Sequence, residues 1–150
     1  MKTKVLMVCL GNICRSPLAE GILKSKVDSS KVFVDSAGTA GYHVGNPPDE
    51  RSIAVARKYG LDISMQKCRR FSATDFQEFD YIYAMDRSNF SNIMKLANGI
   101  QDEKKVKLLL DEVDFGLTEV PDPYYGGSDG FEKVYEMVDL ACEAIAKRLN

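Results

Sequence analysis

The sequence predicts a doubly wound α/β fold, a four-stranded parallel sheet with helices on both faces. Two observations lead there. Four short apolar runs alternate with helical patterns along the 150 residues, and such an order favours parallel strands joined by crossover helices. The first run, Val5-Leu6-Met7-Val8, scarcely alternates between apolar and polar, which marks a strand covered on both faces. A third observation says where the sheet would work. The first run leads into VCLGNICRSP, residues 8–17, a turn crowded with two cysteines, a glycine, an asparagine and an arginine. Ligands of doubly wound sheets gather beyond the carboxyl ends of the strands, and Cys9 stands at such an end.

The elements follow in order. Residues 4–9 form the first strand. Ser16-Pro17 opens a helix reaching about residue 27, with serine as the N-cap and proline in the first helical position. Residues 31–35 (KVFVD) form the second strand. The loop over 36–50 is rich in Gly, Pro and Asn and long enough to carry function. Asp49 or Glu50 starts a helix that stops near Tyr59-Gly60. Residues 80–85 (DYIYAM) form the third strand, Asp86 caps a helix over 87–98, and residues 105–110 form the fourth strand. A loop over 111–130 leads to the last helix, 131–149, which carries Val134, Met137, Val138, Ala141, Ile145 and Leu149 on one face.

Composition sets the outer limits. A chain of this length buries about 70% of its unfolded surface, and residues 1–150 are read as a single domain. Hydrophobic content of 45% and charged content of 28% fit a globular protein. A net charge of -2 points away from nucleic acid as a partner. No apolar run approaches the ~20 residues of a membrane span, and the residues after Met1-Lys2-Thr3-Lys4 lack a secretory pattern. The expected location is the cytoplasm, where thiols stay reduced. Cys9, Cys14, Cys68 and Cys142 form no C-x-x-C pair and His43 is the sole histidine, so neither a metal site nor a cofactor is expected. Cys142 falls in an apolar helical pattern and reads as a small core residue. Cys68 sits beside Lys67, Arg69 and Arg70, cations that could lower its pKa, but it reads better as an incidental thiol.

The loop after the first strand has the makings of a phosphate site. Unpaired backbone N–H groups and the positive end of a helix dipole converge there and hold anions. Gly11 allows a tight turn, and Asn12 tolerates the left-handed conformation better than most residues. Arg15 offers a planar fork for two phosphate oxygens. The loop lacks the Gly-Lys-Ser/Thr ending of a nucleotide-binding loop. Amides and a nearby cation favour thiolate over thiol, so Cys9 at the base of this cradle reads as a nucleophile. Ser16 could steady its sulfur with a hydrogen bond. Cys14 is close enough in sequence to form a reversible disulfide with Cys9 under oxidation, or is a small buried side chain.

The segment VCLGNICRSPLAE resembles the active-site loop of low-molecular-weight protein tyrosine phosphatases, whose signature is Cys, five residues, Arg, then Ser. DSAGT at 35–39, YIYAMDRSN at 81–89 and VPDPYYGG at 120–127 resemble further segments of that family in the same order, so the likeness spans essentially the whole chain.

The resemblance implies roles. Cys9 would be the nucleophile, Arg15 the phosphoryl clamp and Asp122 the general acid and later base. Leu10, Gly11, Asn12, Ile13, Cys14, Arg15 and Ser16 would wrap the phosphate. Asn12, Ser16 and Ser36 would support the loop, with Gln66 standing where family members carry a histidine that braces the loop asparagine. Leu10, Tyr42, His43, Tyr124 and Tyr125 would line a cleft deep enough for phosphotyrosine. Pro123 would stiffen the acid loop and Gly126-Gly127 hinge it. The implied partners are phosphotyrosine proteins or peptides, with inorganic phosphate as product and competitive ligand. A monomer is expected, with weak dimerisation through the tyrosine rim allowed.

Three alternatives stand beside this reading. Family members acting on phosphoarginine tend to carry Thr where this chain has Ile13. An arsenate reductase on the same scaffold needs further cysteines in a mobile segment, and residues 69–141 contain none. A non-catalytic phosphate or phosphopeptide binder would keep Arg15 and the amides but has no need of Cys9 or Asp122.

Overall fold

A computed structural model describes residues 2–114, 116–124 and 128–150. Among these residues the four strands β1 (Thr3–Cys9), β2 (Val32–Gly38), β3 (Tyr81–Ala84) and β4 (Val106–Leu108) form one sheet in the order β2-β1-β3-β4. Every pairing is parallel, with Val5 opposite Val34 on one side and Tyr81 on the other. The helices are α1 (Arg15–Lys26), α2 (Glu50–Lys58), α3 (Asp75–Glu78), α4 (Arg87–Met94), α5 (Ile100–Glu103) and α6 (Ser128–Leu149). A 3-10 turn, Leu109–Glu112, follows β4.

The missing alternation in β1 has a direct cause. Val5 and Met7 point into one apolar cluster with Leu18, Ile22, Val134, Val138 and Ile145. Leu6 and Val8 point into a second, with Phe71, Phe76, Ile82 and Ile93. Each face of the central strand is thus a core, and each aliphatic side chain so covered contributes about 1.5–3 kcal/mol. Helix α1 lies on the first face and packs on α6. Cys142 of α6 has no exposed surface and fills that same layer.

Several boundaries differ from the sequence reading. Strand β2 runs on to Gly38 instead of ending at residue 35, because its last residues pair with Met7, Val8 and Cys9. Gly38 is required there: a Cβ would stand 2.8 Å from the Leu10 carbonyl oxygen and 3.0 Å from the Asn12 nitrogen. The strand read over 105–110 is cut to three residues by the 3-10 turn. Helix α4 stops at Met94, with Asp86 as its cap: the Asp86 carboxylate accepts from the Asn89 amide at 2.8 Å. Asp49 caps α2 in the same manner through Arg51 N. Ser16 is not an N-cap. Helix α1 begins at Arg15 after Cys14, no side chain caps it, and the Ser16 hydroxyl points elsewhere.

Candidate active site

The site forms where β1 gives way to α1. Cys9 ends the strand, 3% exposed. The chain then curls over its sulfur. Asn12 takes the left-handed conformation at φ 58° and turns its backbone N–H onto Cys9 Sγ at 3.2 Å. Gly11 stays out of that region, and what its bare Cα avoids is the His43 ring, which a Cβ would meet at 3.3 Å. The Ser16 hydroxyl, the one absent from the cap, lies 3.0 Å from the same sulfur. Thr39 N and Ala40 N donate to the carbonyls of Cys9 and Leu10, both at 2.9 Å, so the end of β2 holds the loop from outside.

Asn12 and Ser36 are buried and bonded to each other. The Asn12 amide nitrogen donates to Ser16 Oγ at 2.8 Å and to Ser36 Oγ at 3.0 Å. Its amide oxygen accepts from the backbone N–H of Arg69 at 2.9 Å. That corrects the reading of Gln66, whose amide reaches past Asn12 and donates to the Pro17 carbonyl at 3.1 Å. Gln66 therefore touches α1, and the Arg69 backbone braces the asparagine. Sequence reasoning missed Arg69 because its side chain is engaged far away, with Asp35 at 3.1 Å and Asp75 at 3.1 and 3.2 Å.

Cys68 is also placed differently from an incidental thiol. It is buried, and its thiol donates to the Asn12 carbonyl at 2.7 Å. Burial first, and then the neighbouring Cys9, push that thiol up to about 11. Of the neighbouring cations, Arg69 turns its guanidinium to Asp35 and Asp75 instead. Cys14 lines the cleft but is itself buried. Burial first, then Asp49, Cys9 and Asp122, push its thiol up to about 12.

Arg15 is held at once from the end of β3 and from the segment that follows the 3-10 turn. Its Nη1 donates to Asp86 Oδ2 at 2.6 Å and to the Val120 carbonyl at 3.0 Å, and its Nη2 lies 3.6 Å from Asp122 Oδ2. Burial opposes the charge on Arg15, but Cys9, Asp86 and Asp122 more than offset it, and the guanidinium pKa is raised. Asp86 was legible only as a helix cap. Its other oxygen aims Arg15, and an aspartate just beyond a parallel strand was the available signal.

A cleft of about 280 Å³ opens above the sulfur. Leu10, Gly11, Ile13, Cys14 and Arg15 line its base around Cys9. Tyr42, His43, Asp122 and Tyr124 complete the lining. Tyr42 is 77% exposed at the rim. The Arg51 guanidinium stacks over the Tyr124 ring at 5.3 Å and over Phe131 at 4.7 Å, tying the Asp122 loop to α2. The expected fifth cleft residue, Tyr125, and the expected hinge Gly126-Gly127 lie outside the described residues. Among the described residues no group of three or more His, Cys, Asp or Glu could hold a metal ion, and no helix is long and apolar enough to cross a membrane.

A parallel sheet that ends in a cysteine, wrapped by a loop of inward-turned donors and closed by an arginine and an aspartate, defines a phosphate-handling α/β protein. The family described as low molecular weight phosphotyrosine protein phosphatase matches residues 4–150. The low molecular weight protein-tyrosine-phosphatase YfkJ of Bacillus subtilis is 42% identical over 146 residues, covering 94% of this chain and 92% of that one. The human low molecular weight phosphotyrosine protein phosphatase is 38% identical over 151 residues, covering 97% and 95%. Among solved structures, a protein tyrosine phosphatase from Entamoeba histolytica with Hepes in the active site superposes with a TM-score of 0.93 at 38% identity, covering 99% of this chain and 97% of that one. This chain belongs to the low molecular weight phosphotyrosine protein phosphatase family.

Proposed function

We propose that the chain hydrolyses phosphotyrosine in proteins or peptides through a cysteinyl-phosphate intermediate. One observation carries the reading. Cys9 Sγ accepts from Asn12 N and neighbours Ser16 Oγ at the base of a cleft whose lining holds Arg15 and Asp122 side by side. Donors aimed at a sulfur suit the anion, and a thiolate is the attacking form.

Cys9 attacks phosphorus in line. The P–S bond forms as the bond to the tyrosine oxygen breaks, and Asp122 delivers its proton to that oxygen. A water then attacks the thiophosphoryl group while Asp122 takes up its proton. The P–S bond breaks, inorganic phosphate leaves and the Cys9 thiolate is restored. Arg15 and the loop amides hold the equatorial oxygens throughout, so positioning and charge stabilisation do most of the work. Phosphate, as product, would compete for the same cradle.

The cleft supports an aryl substrate. Its base lies below a rim of Tyr42 and Tyr124, against which a ring can stack, and Ile13 adds apolar surface to the lining. A phosphoserine would stop short of a sulfur this deeply set. Phosphoarginine phosphatase remains the runner-up. All four cysteines are free thiols, and a reducing cytoplasm is the compartment we assign.

Phosphate release from matched phosphotyrosine, phosphoserine and phosphoarginine peptides under reducing conditions tests the specificity. Release is expected from phosphotyrosine, with acid quenching trapping phosphate on Cys9. Preference for phosphoarginine would reverse the assignment of substrate, and full turnover by a Cys9→Ser variant would end the mechanism.

A further inference from the structure

The loop that carries Tyr42 and His43 is clamped at both ends by residues 68–71. Gly38 N donates to the Arg69 carbonyl at 2.9 Å, and Phe71 N donates to the Gly38 carbonyl at 2.7 Å. At the far end Gly45 N donates to the Cys68 carbonyl and Cys68 N to the Asn46 carbonyl, both at 2.8 Å. Arg70 belongs to this clamp, its backbone bridged to Gly38. Its side chain is exposed and lies against the loop. A Cβ on Gly41 would stand 3.4 Å from Arg70 Cδ and 3.9 Å from its Nη1. The next residue, Tyr42, lines the cleft.

The other arginines that touch the cleft or its loop are matched by carboxylates. Arg15 meets Asp86 and Asp122. Arg51 meets both oxygens of Asp49 at 3.0 Å. Arg69 meets Asp35 and Asp75. Among the described residues Arg70 has no such partner. An exposed cation alone is an ordinary surface feature, and its place gives this one meaning. An extended peptide advances about 3.3 Å per residue. With phosphotyrosine seated over Cys9, residues one to three positions along the peptide pass about 3–10 Å away, over the rim of the cleft. A guanidinium there offers a planar fork to a carboxylate. Its stem already rests on Gly41 and its backbone is bridged, so little freedom is lost on binding.

We propose that Arg70 selects among phosphotyrosine substrates by binding the carboxylate of an aspartate or glutamate within three positions of the phosphotyrosine. The inference rests on the reading of the chain as a phosphotyrosine phosphatase and names its substrate class, phosphotyrosine in an acidic segment. The contact is remote from phosphorus and equal in the ground and transition states, so it lowers KM and leaves kcat alone.

Three phosphotyrosine peptides test this, alike except for Glu, Gln or Lys at the three positions on each side. The quantity read is the ratio of kcat/KM between peptides within one protein, so any change in the phosphate cradle common to them cancels. Wild type is expected to favour the Glu peptide over the Gln peptide about three- to fivefold at low salt, as for one exposed ion pair. The difference should lie in KM and shrink at about 0.5 M salt. Arg70→Ala should bring the ratio to one or below, and Arg70→Lys should keep part of it. Arg70→Glu should turn the preference toward the Lys peptide. Lys67→Ala removes the same charge three residues away and should keep the wild-type ratio. Fluorescence anisotropy of the same peptides on Cys9→Ser proteins gives the ratio in Kd without turnover. A ratio unmoved by Arg70→Ala, or lowered equally by Lys67→Ala, would overturn the proposal. Failure of wild type to hydrolyse any of the peptides would overturn the phosphatase reading instead, and the binding ratio would still decide the role of Arg70.

Discussion

The Arg15 guanidinium meets the Asp86 carboxylate at 2.6 Å, with the arginine side chain 3% exposed and the aspartate 22%. This contact joins the first turn of α1 to the end of β3. It fixes the plane of the guanidinium, and a fixed plane is what bidentate recognition of phosphate oxygens requires.

Replacing Asp86 with Asn keeps an acceptor for the α4 cap but takes from a buried cation its nearest counter-charge, leaving Asp122 3.6 Å away. Breaking a fully buried pair costs about 3–5 kcal/mol. Asp86 keeps some contact with water, so a loss of about 1–3 kcal/mol is expected. Urea denaturation measures the loss. The kcat/KM for a phosphotyrosine peptide should drop about tenfold as the fork loosens. Equal stability of the two proteins would mean that water already compensates the pair.

In the first step Asp122 is expected to act on the leaving group. Asp122→Asn should lower kcat/KM, which ends with phosphoryl transfer to Cys9, about 100- to 10,000-fold for a tyrosine ester. For an aryl phosphate whose phenol leaves readily without a proton, the loss should be much smaller. Cys9 alkylation should be unaffected. Equal losses on both esters would argue that Asp122 serves Arg15, 3.6 Å away, and not the departing oxygen.

Asn12 combines two duties that substitutions can separate. At φ 58° a side chain other than glycine carries about 1–2 kcal/mol of strain. Asn12→Gly removes the amide network but keeps the turn at no steric cost. Asn12→Ala removes both. The alanine variant should be about 1–2 kcal/mol less stable than the glycine variant, and both should lose kcat by a similar factor. Chemical denaturation paired with steady-state kinetics separates the two. A glycine variant with wild-type kcat would show that the turn, and not the amide, is what the loop needs.

What was legible in the sequence followed from local or periodic signals. The two-faced core of β1 shows in Val5 to Val8, and Asp49 and Asp86 announce their helices by cap chemistry. The Cys9-to-Ser16 spacing places the cradle. What stayed hidden depends on where distant segments meet. Ser16 looked like a cap because serine before proline usually is one, yet the sulfur of Cys9 claims its hydroxyl. Gln66 looked like the brace of Asn12 because of its place in the sequence, while the brace is a backbone N–H three residues on, which no side-chain pattern encodes. The contact of the Ser36 hydroxyl with Glu20 likewise depends on β2 lying beside α1.

The buried thiols set a pH limit on the fold. Burial pushes Cys142 far above the ordinary thiol value of 9.0, and Cys14 up to about 12. Below pH 9 these thiols are protonated whether the chain is folded or not, and their contribution to stability is complete. As pH rises past 9 the unfolded chain releases protons that the folded chain keeps. The unfolded state is favoured more with each step, until the folded value is reached. For one such thiol the loss between pH 9 and 11 is about 2–3 kcal/mol. Cys142→Ala isolates this contribution from the lysines, which titrate in the same range. The variant starts with a constant penalty for the small cavity, but its stability should fall less steeply than that of wild type between pH 9 and 11. Urea midpoints taken along that interval give the two slopes. Parallel slopes would mean that Cys142 meets solvent in the folded state, contrary to its complete burial between α6 and α1.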